Sequence, residues 1–256
     1  MGLQEGARLE VNNISKTFVE KKSAHEVVRD VSFSVYNNEF LVILGPGYCG
    51  KTVLLNMMMN LIKPDSGDII LDGHVLTEEN MGNKFAMVFQ LLGLMPWKTV
   101  MDNVILGLKF RGQKKQESEK VAQKYIDLVG LNGFEKNLPH ELSGGMKQRV
   151  GIARAYANNP EILVMDEPFG QLDAQTRYSM QDEITRIWEQ DKRTVIFVTN
   201  NIEEAVYLGD RIILLTECPA RVKEIYNIDI PRPRKTTDPR FLELRKIISD
   251  NTDLAL

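Results

Sequence analysis

Histidine and cysteine are scarce in the 256-residue chain, with three and two copies. Cys49 and Cys218 stand far apart without metal-ligand spacing, which excludes a disulfide framework and fits a reducing compartment. Long apolar runs are missing too. Stretches such as 195–198 and 211–215 have strand length, well short of the roughly 18 residues of a membrane span. Residues 1–10 hold no apolar segment of signal-peptide length, so a cytosolic chain is expected. Neither sign of charge dominates. With 32 Lys and Arg against 35 Asp and Glu, the net charge of −3 supplies no global attraction to polyanions, and no nucleic-acid partner is expected. Internal repeats and low-complexity segments are absent from the sequence.

What is present suits a folded protein: 43% hydrophobic residues supply a core, and 26% charged residues a solvated surface. Against roughly 100 to 200 residues per domain, the length fits one large domain or one with an insertion. Leu9, Val11 and Ile14 open a first strand, and the alternation of Val31, Phe33 and Val35 with serines predicts a second. Phe40 to Leu44 is continuously apolar, the pattern of a strand covered on both faces in a parallel sheet. After a glycine turn, Val53, Leu54, Met57, Met58 and Leu61 recur at helical spacing until Lys63 to Gly67 stops the helix. Residues 68–73 read as a short strand and turn, and 99–130 as helical, with a solvated charged face from Lys109 to Lys124. A second buried strand over 161–166, a helix over 174–190 and a third strand over 194–199 follow. The tail reads as a strand over 222–230, a Pro-Arg-Pro-Arg break at 231–234 and a helix from about Pro239. This alternation predicts an α/β fold with a mainly parallel sheet.

Gly45, Pro46, Gly47, Tyr48, Cys49, Gly50, Lys51 and Thr52 match G-x-x-x-x-G-K-[ST] between a buried strand and a helix, the context that a phosphate-binding loop requires. Backbone N–H groups and the helix N-terminus there cradle a triphosphate, Lys51 reaches the β and γ phosphates, and the Thr52 hydroxyl ligates Mg2+. Asp166 and Glu167 end an apolar strand, which sets one carboxylate for the metal and the next for the terminal phosphate. Alone, such a pair says little, because acidic residues commonly sit at strand ends in water. Ser143 is an N-cap candidate for a helix running through Ala157, and Gly144 and Gly145 let backbone approach an anion.

The run from Leu142 to Met146 resembles the signature of ATP-binding cassette (ABC) proteins, and the resemblance continues through Lys147 to Ala155. Pro168 follows the acidic pair, Leu172 and Asp173 match the D-loop, and Gln90 after Met87, Val88 and Phe89 matches the Q-loop. The resemblance spans about residues 8 to 248. Leu94 to Trp97, Pro139 with His140, and the Pro-Arg-Pro-Arg of 231–234 resemble the branch that imports nitrate, sulfonate, taurine and bicarbonate. The implied fold is an α/β P-loop NTPase of the ABC ATPase type, with a mainly parallel core sheet, an antiparallel β subdomain and an inserted helical signature subdomain over about 91–158. An ATPase domain over 8–230 and a C-terminal extension over 231–256 are expected.

The implied activity is that of the ATP-binding and ATP-hydrolysing subunit of an importer, peripheral on the cytoplasmic face of a membrane, with ATP and Mg2+ as cofactors. Its expected partners are transmembrane permease subunits, a second ABC ATPase chain and, indirectly, an extracytoplasmic solute-binding protein. A soluble, non-transport ATPase acting in assembly or regulation is the alternative. The family's head-to-tail dimer implies that each ATP lies between one chain's loop, Gly45 to Val53, and the other chain's Ser143, Gly144, Gly145 and Met146. Thr52, Gln90 and Asp166 are the implied metal residues, and Glu167, Gln90 and the residue at 200 the catalytic ones. Phe18 is the implied adenine-stacking ring, although a Phe in a first strand is equally a core residue. Leu94, Met95 and Trp97 read as a groove for a short permease helix, with burial in the subdomain's own core as the alternative.

The sequence departs from the family in several places. Where Thr-His is expected after the third strand, it has Thr199 and Asn200, and His25, His74 and His140 lie in other motif contexts. Asn200 still donates an amide hydrogen bond, but it is shorter than imidazole and never ionises. Losing one preorganised donor costs about 10² to 10³ in rate, so weakened hydrolysis stands beside a tolerated substitution in a site that Glu167 still drives. Gly47 and Tyr48 replace the usual Ser-Gly, and Val53 a small hydroxyl residue. If position 48 has φ > 0, its side chain costs about 1 to 3 kcal/mol of strain. Gln171 replaces the branch's usual Ala at the dimer seam. Two readings follow: a poorly hydrolysing chain paired with a competent one, or a slow homodimer.

Overall fold

The protein, seen in a computed structural model that describes residues 6–20 and 23–252, divides into two units, 1–82 with 193–256, and 83–192. The last four residues of the expected C-terminal extension, 253–256, lie outside the described residues. The first unit begins with β1 (Leu9–Glu20), β2 (Ser23–Val35), β3 (Phe40–Leu44), α1 (Lys51–Met58), β4 (Ser66–Leu71), β5 (His74–Val75) and α2 (Glu78–Met81). The second comprises β6 (Phe85–Val88), α3 (Val100–Val104), α4 (Leu106–Phe110), α5 (Lys115–Leu128), α6 (Gly144–Ala157), β7 (Ile162–Asp166) and α7 (Ala174–Gln190). The first unit then resumes with β8 (Thr194–Thr199), α8 (Ile202–Leu208), β9 (Arg211–Leu215), β10 (Val222–Asn227) and α9 (Pro239–Asn251).

In the first unit, one sheet is antiparallel in the order β2-β1-β4-β5. It buries Val31, Phe33 and Val35 at alternate positions of β2, as period-2 patterning requires. The unit's other strands run β10-β9-β3-β8. Strand β3 pairs parallel with both β8 and β9, every one of its residues is buried, and only β10 is antiparallel, on β9. Continuous apolarity in 40–44 thus reflects a strand with no solvent face. In the second unit β6 and β7 pair parallel, Val88 opposite Met165. Helices α3, α5 and α6 pack together there over Val104, Ala122, Ile126, Val150 and Ile152.

Three boundaries differ from the sequence pattern. Helix α1 stops at Met58 because Asn60 turns left-handed (φ 54°), so Leu61 is exposed although it sits at helical spacing. The helical stretch 99–130 breaks at Ile105, between α3 and α4, and again around Gly112 (φ 74°), between α4 and α5. Strand β10 ends at Asn227, after which the Ile228 N–H bonds the Asp210 carbonyl and both Ile228 and Ile230 turn inward. Among the described residues no helix is long and apolar enough to cross a membrane.

Candidate functional site

The phosphate-type loop leaves the carboxyl end of β3, the edge at which parallel sheets present ligand sites. Its Gly45 N–H bonds the Thr199 carbonyl (3.3 Å), which ties the loop to the end of β8. Gly45 is buried so closely that a Cβ would lie 3.1 Å from both Cys49 Sγ and Leu215 Cβ. Gly50 caps α1 at φ 113°, and a Cβ there would come within 2.8 Å of the Val27 carbonyl oxygen. Lys51 is only 4% exposed, and its Nζ donates to the carbonyls of Gly45 (3.0 Å) and Pro46 (2.6 Å), so the ammonium is held inside the loop's curve. No acidic residue occupies the first turn of α1, which leaves the positive helix end to an anion. Together these features fit a polyphosphate. Thr52 is exposed at the first turn, beside half-buried Val53. Burial pushes the Cys49 thiol up, which keeps it protonated and unreactive.

Tyr48 sits in this loop at φ 59° with its ring fully exposed, which meets the condition for strain set out above. Eight non-glycine residues among those described have positive φ, and six of them are Asn or Asp, the types that tolerate it. The two exceptions are Tyr48 and Glu167 (φ 41°). Both are residues expected at the nucleotide, in keeping with the clustering of backbone strain at functional positions.

At the end of β8, Thr199 Oγ1 donates to the buried Glu204 carboxylate (2.6 Å) and accepts from the Asn201 N–H (3.0 Å). Asn201 Oδ1 caps α8 by accepting from the Glu204 N–H (3.0 Å). Asn200 is therefore an exposed side chain between two fixed neighbours. Phe18 on β1 is 37% exposed, with Lys16 Nζ 5.7 Å from its ring centre; the ring lies outside the buried core and offers a face.

In the second unit, Asp166 ends β7 and Gln90 lies two residues beyond the parallel strand β6, so both sit at one edge of the pair. The turn after Glu167 closes through Gly170 N–H to the Glu167 carbonyl (3.1 Å). A Cβ at Gly170 would lie 3.2 Å from Gln90 Nε2, so the turn and the glutamine touch. Asp166 and Glu167 are half-buried, and Gln90 is exposed. Ser143 caps α6 with Oγ accepting from the Met146 N–H (3.3 Å), and Gly144 opens the helix. Gly145 packs against α7 so tightly that a Cβ would meet Thr176 Cγ2 at 3.0 Å. Asp173 caps α7, and the Thr176 hydroxyl and N–H hold its carboxyl below the usual range. Gln171 is exposed, and nothing in the structure explains its replacement of Ala.

A groove of about 360 Å³ also opens in the second unit, lined by Phe89, Leu92, Phe110 and Arg154 among others. Arg154 shapes it by bonding the Leu92 and Gly93 carbonyls. Leu94, Met95 and Trp97 are not among its lining residues: Met95 is tied by its backbone to Asn103, and Trp97 is 73% exposed elsewhere. Phe110 escaped the sequence reading because it stands in a charged stretch.

Residues 28–170 match the family model described as ABC transporter. The chain is 48% identical over 241 residues to an uncharacterized ABC transporter ATP-binding protein of Methanocaldococcus jannaschii, covering 94% of this chain and 90% of that one. It is 42% identical to a taurine import ATP-binding protein of Rhizobium johnstonii, covering 94% of each. It is also similar, at TM-score 0.75 and 31% identity, to a solved dimeric ATP-binding cassette bound to ADP and Pi, covering 87% of this chain and 100% of that one.

The strain at Tyr48 is testable without any ligand. Tyr48→Gly is expected to stabilise the chain by about 1 kcal/mol, the relief of φ strain less the added unfolded-state entropy of glycine. Urea unfolding measures it, and a destabilised variant would show that the ring makes compensating contacts.

Proposed function

Because the chain belongs to the ABC transporter family, as an ATP-binding subunit with the α/β P-loop fold of its ATPases, we propose that it hydrolyses ATP to drive import of a small anionic or related solute through a separate permease. The observation that carries this reading is the loop from Gly45 to Thr52, with its buried Lys51 and a first helical turn without acidic residues. The taurine-import relative supports the solute class. In this reading the chain is peripheral on the cytoplasmic face of the membrane and works with an extracytoplasmic solute-binding protein.

We assign the ATPase domain to 8–230 and the extension to 231–256. The first unit supplies the phosphate loop, Phe18 for the adenine and Asn200 for the γ-phosphate. The second supplies Asp166 and Gln90 for Mg2+, and the first Thr52, a set that meets the ion's preference for hard oxygen donors. Glu167 is the general base that orients the attacking water, and its strained backbone is consistent with that role. Ser143 to Met146 act on the nucleotide of a second ABC ATPase chain. The groove around Phe89, Phe110 and Arg154 receives a permease segment; its two exposed aromatic residues support a docking role. Asn200 lowers turnover, either as the weak half of an asymmetric pair or in both sites of a homodimer.

Two substitutions test the reading. Lys51→Ala removes the ammonium that pairs the β and γ phosphates, and loss of binding of a fluorescent ATP analogue is expected. Unchanged affinity would overturn the phosphate-loop assignment. Asn200→His restores a longer donor to the γ-phosphate, and turnover is expected to rise about tenfold or more, given the cost of one missing donor. Phosphate release with permease present, and Glu167→Gln as the blank in each background, reads this. Equal turnover of the two chains would make Asn200 an adequate switch residue.

A further inference from the structure

Helix α8 begins at Ile202, with only its cap Asn201 between it and Asn200, and the C-terminal extension holds it at the other end. The last carbonyls of any helix lack intrahelical partners, and here all are satisfied. Gly209 N–H bonds the Ala205 carbonyl (3.0 Å). Arg234, only 5% exposed, donates through Nη1 to the carbonyls of Val206 (2.8 Å), Tyr207 (3.0 Å) and Gly209 (2.6 Å), and through Nε to Ile230. Arg232 takes the Leu208 carbonyl and pairs with Asp210. Asp210 in turn exchanges backbone and side-chain bonds with Phe40 at the start of β3. Burial lowers the Arg234 pKa to about 10, so it remains a cation at neutral pH, the charge that a helix C-terminus favours.

The flank of α8 is held as well. Helix α9 packs on it, burying Phe241 and Ile248 completely, and Arg245 Nη1 reaches Glu203 Oε2 (3.5 Å) in the first turn of α8. The far end of α9 is tied down by Asn251, which donates to Glu224 and Tyr226 of β10 (2.6 Å each). Seven residues are too few for α8 to be stable by itself, so its position is set by these contacts.

We propose that residues 231–251 form a positioning clamp for Asn200, in which Arg232 and Arg234 close one end of α8 and Arg245 holds Glu203 near the other, fixing where Asn200 meets the γ-phosphate. The proposal rests on the ATPase reading above. None of the three arginines is a catalytic residue; each acts through α8. The consequence is specific: loosening the clamp weakens ATP relative to ADP, because only ATP carries the phosphate that Asn200 reads.

Equilibrium binding of fluorescent ATP and ADP analogues with Mg2+ to the full chain tests this, with a thermal melt for each variant. Asn200→Ala sets the scale by lowering the ATP-to-ADP affinity ratio. Arg245→Glu is expected to lower the same ratio about two- to fivefold, the scale of an exposed ion pair, with ADP affinity unchanged. Combining it with Glu203→Arg restores the ratio. Arg234→Met is expected to lower it about tenfold; if that chain fails to fold, the Arg245 arm still decides. A ratio unmoved in the Arg245→Glu chain, ATP and ADP affinities falling together, or an unmoved Asn200→Ala chain would each overturn the clamp. An unmodified chain that binds neither nucleotide would instead overturn the ATPase reading on which it rests.

Discussion

Strand β3 has parallel neighbours on both sides and no residue in contact with solvent, and the first unit is organised around that burial. Each of its five apolar side chains gains about 1.5 to 3 kcal/mol from leaving water, so the strand's position is heavily determined. Its carboxyl end is then a fixed point from which a short loop must start. That rigidity lets the loop keep Gly50 in a left-handed turn against the Val27 carbonyl, and lets it tolerate about 1 to 3 kcal/mol of strain at Tyr48. A loop on a weakly held strand would relax rather than hold a lysine ammonium within its own curve.

The same logic explains how Asn200 is presented. Strand β8 is buried along its whole length, and its last residue, Thr199, spends its hydroxyl on Glu204 and the Asn201 N–H. Local bonds fix the residues on either side of position 200, and helix α8 is secured at its far end by guanidinium groups rather than by residues of its own. Lysine could not replace arginine there. Arg234 serves four carbonyls from a planar fork, whereas an ammonium offers three donors from one point.

Much of this was legible in the sequence where period, length and cap agreed. Helix α7 and strand β8 occupy the ranges read from pattern, and Ser143 caps α6 as its residue type predicts. The end of α1 was hidden because apolar spacing continues through Leu61, while the stop is made by Asn60, whose left-handed backbone periodicity does not report. Short elements such as β5, α2 and β6 carry too few residues for a period. The Pro-Arg-Pro-Arg segment reads as a break, which it is, but that its guanidiniums turn inward onto α8 depends on tertiary placement alone. The groove near Arg154 was not legible either, because it depends on tertiary packing that brings Phe89, Phe110 and Arg154 together, which periodicity does not report.

The two departures at the proposed nucleotide site act on different quantities. Strain at Tyr48 is present in the chain before any ligand arrives, so it lowers folding stability directly and alters ATP affinity only as far as the loop moves on binding. The shortened donor at position 200 has no such ground-state cost, because Asn200 is exposed and its immediate neighbours are satisfied. On the proposed reading the donor meets the γ-phosphate of bound ATP, and meets it more strongly as charge develops there, so its shortening lowers turnover more than ATP affinity. The cost of losing that donor outright, roughly 2.7 to 4 kcal/mol, also exceeds the roughly 1 to 3 kcal/mol of strain. On the proposed reading, position 200 and the elements that hold it therefore constrain turnover more than the phosphate loop's substitution does.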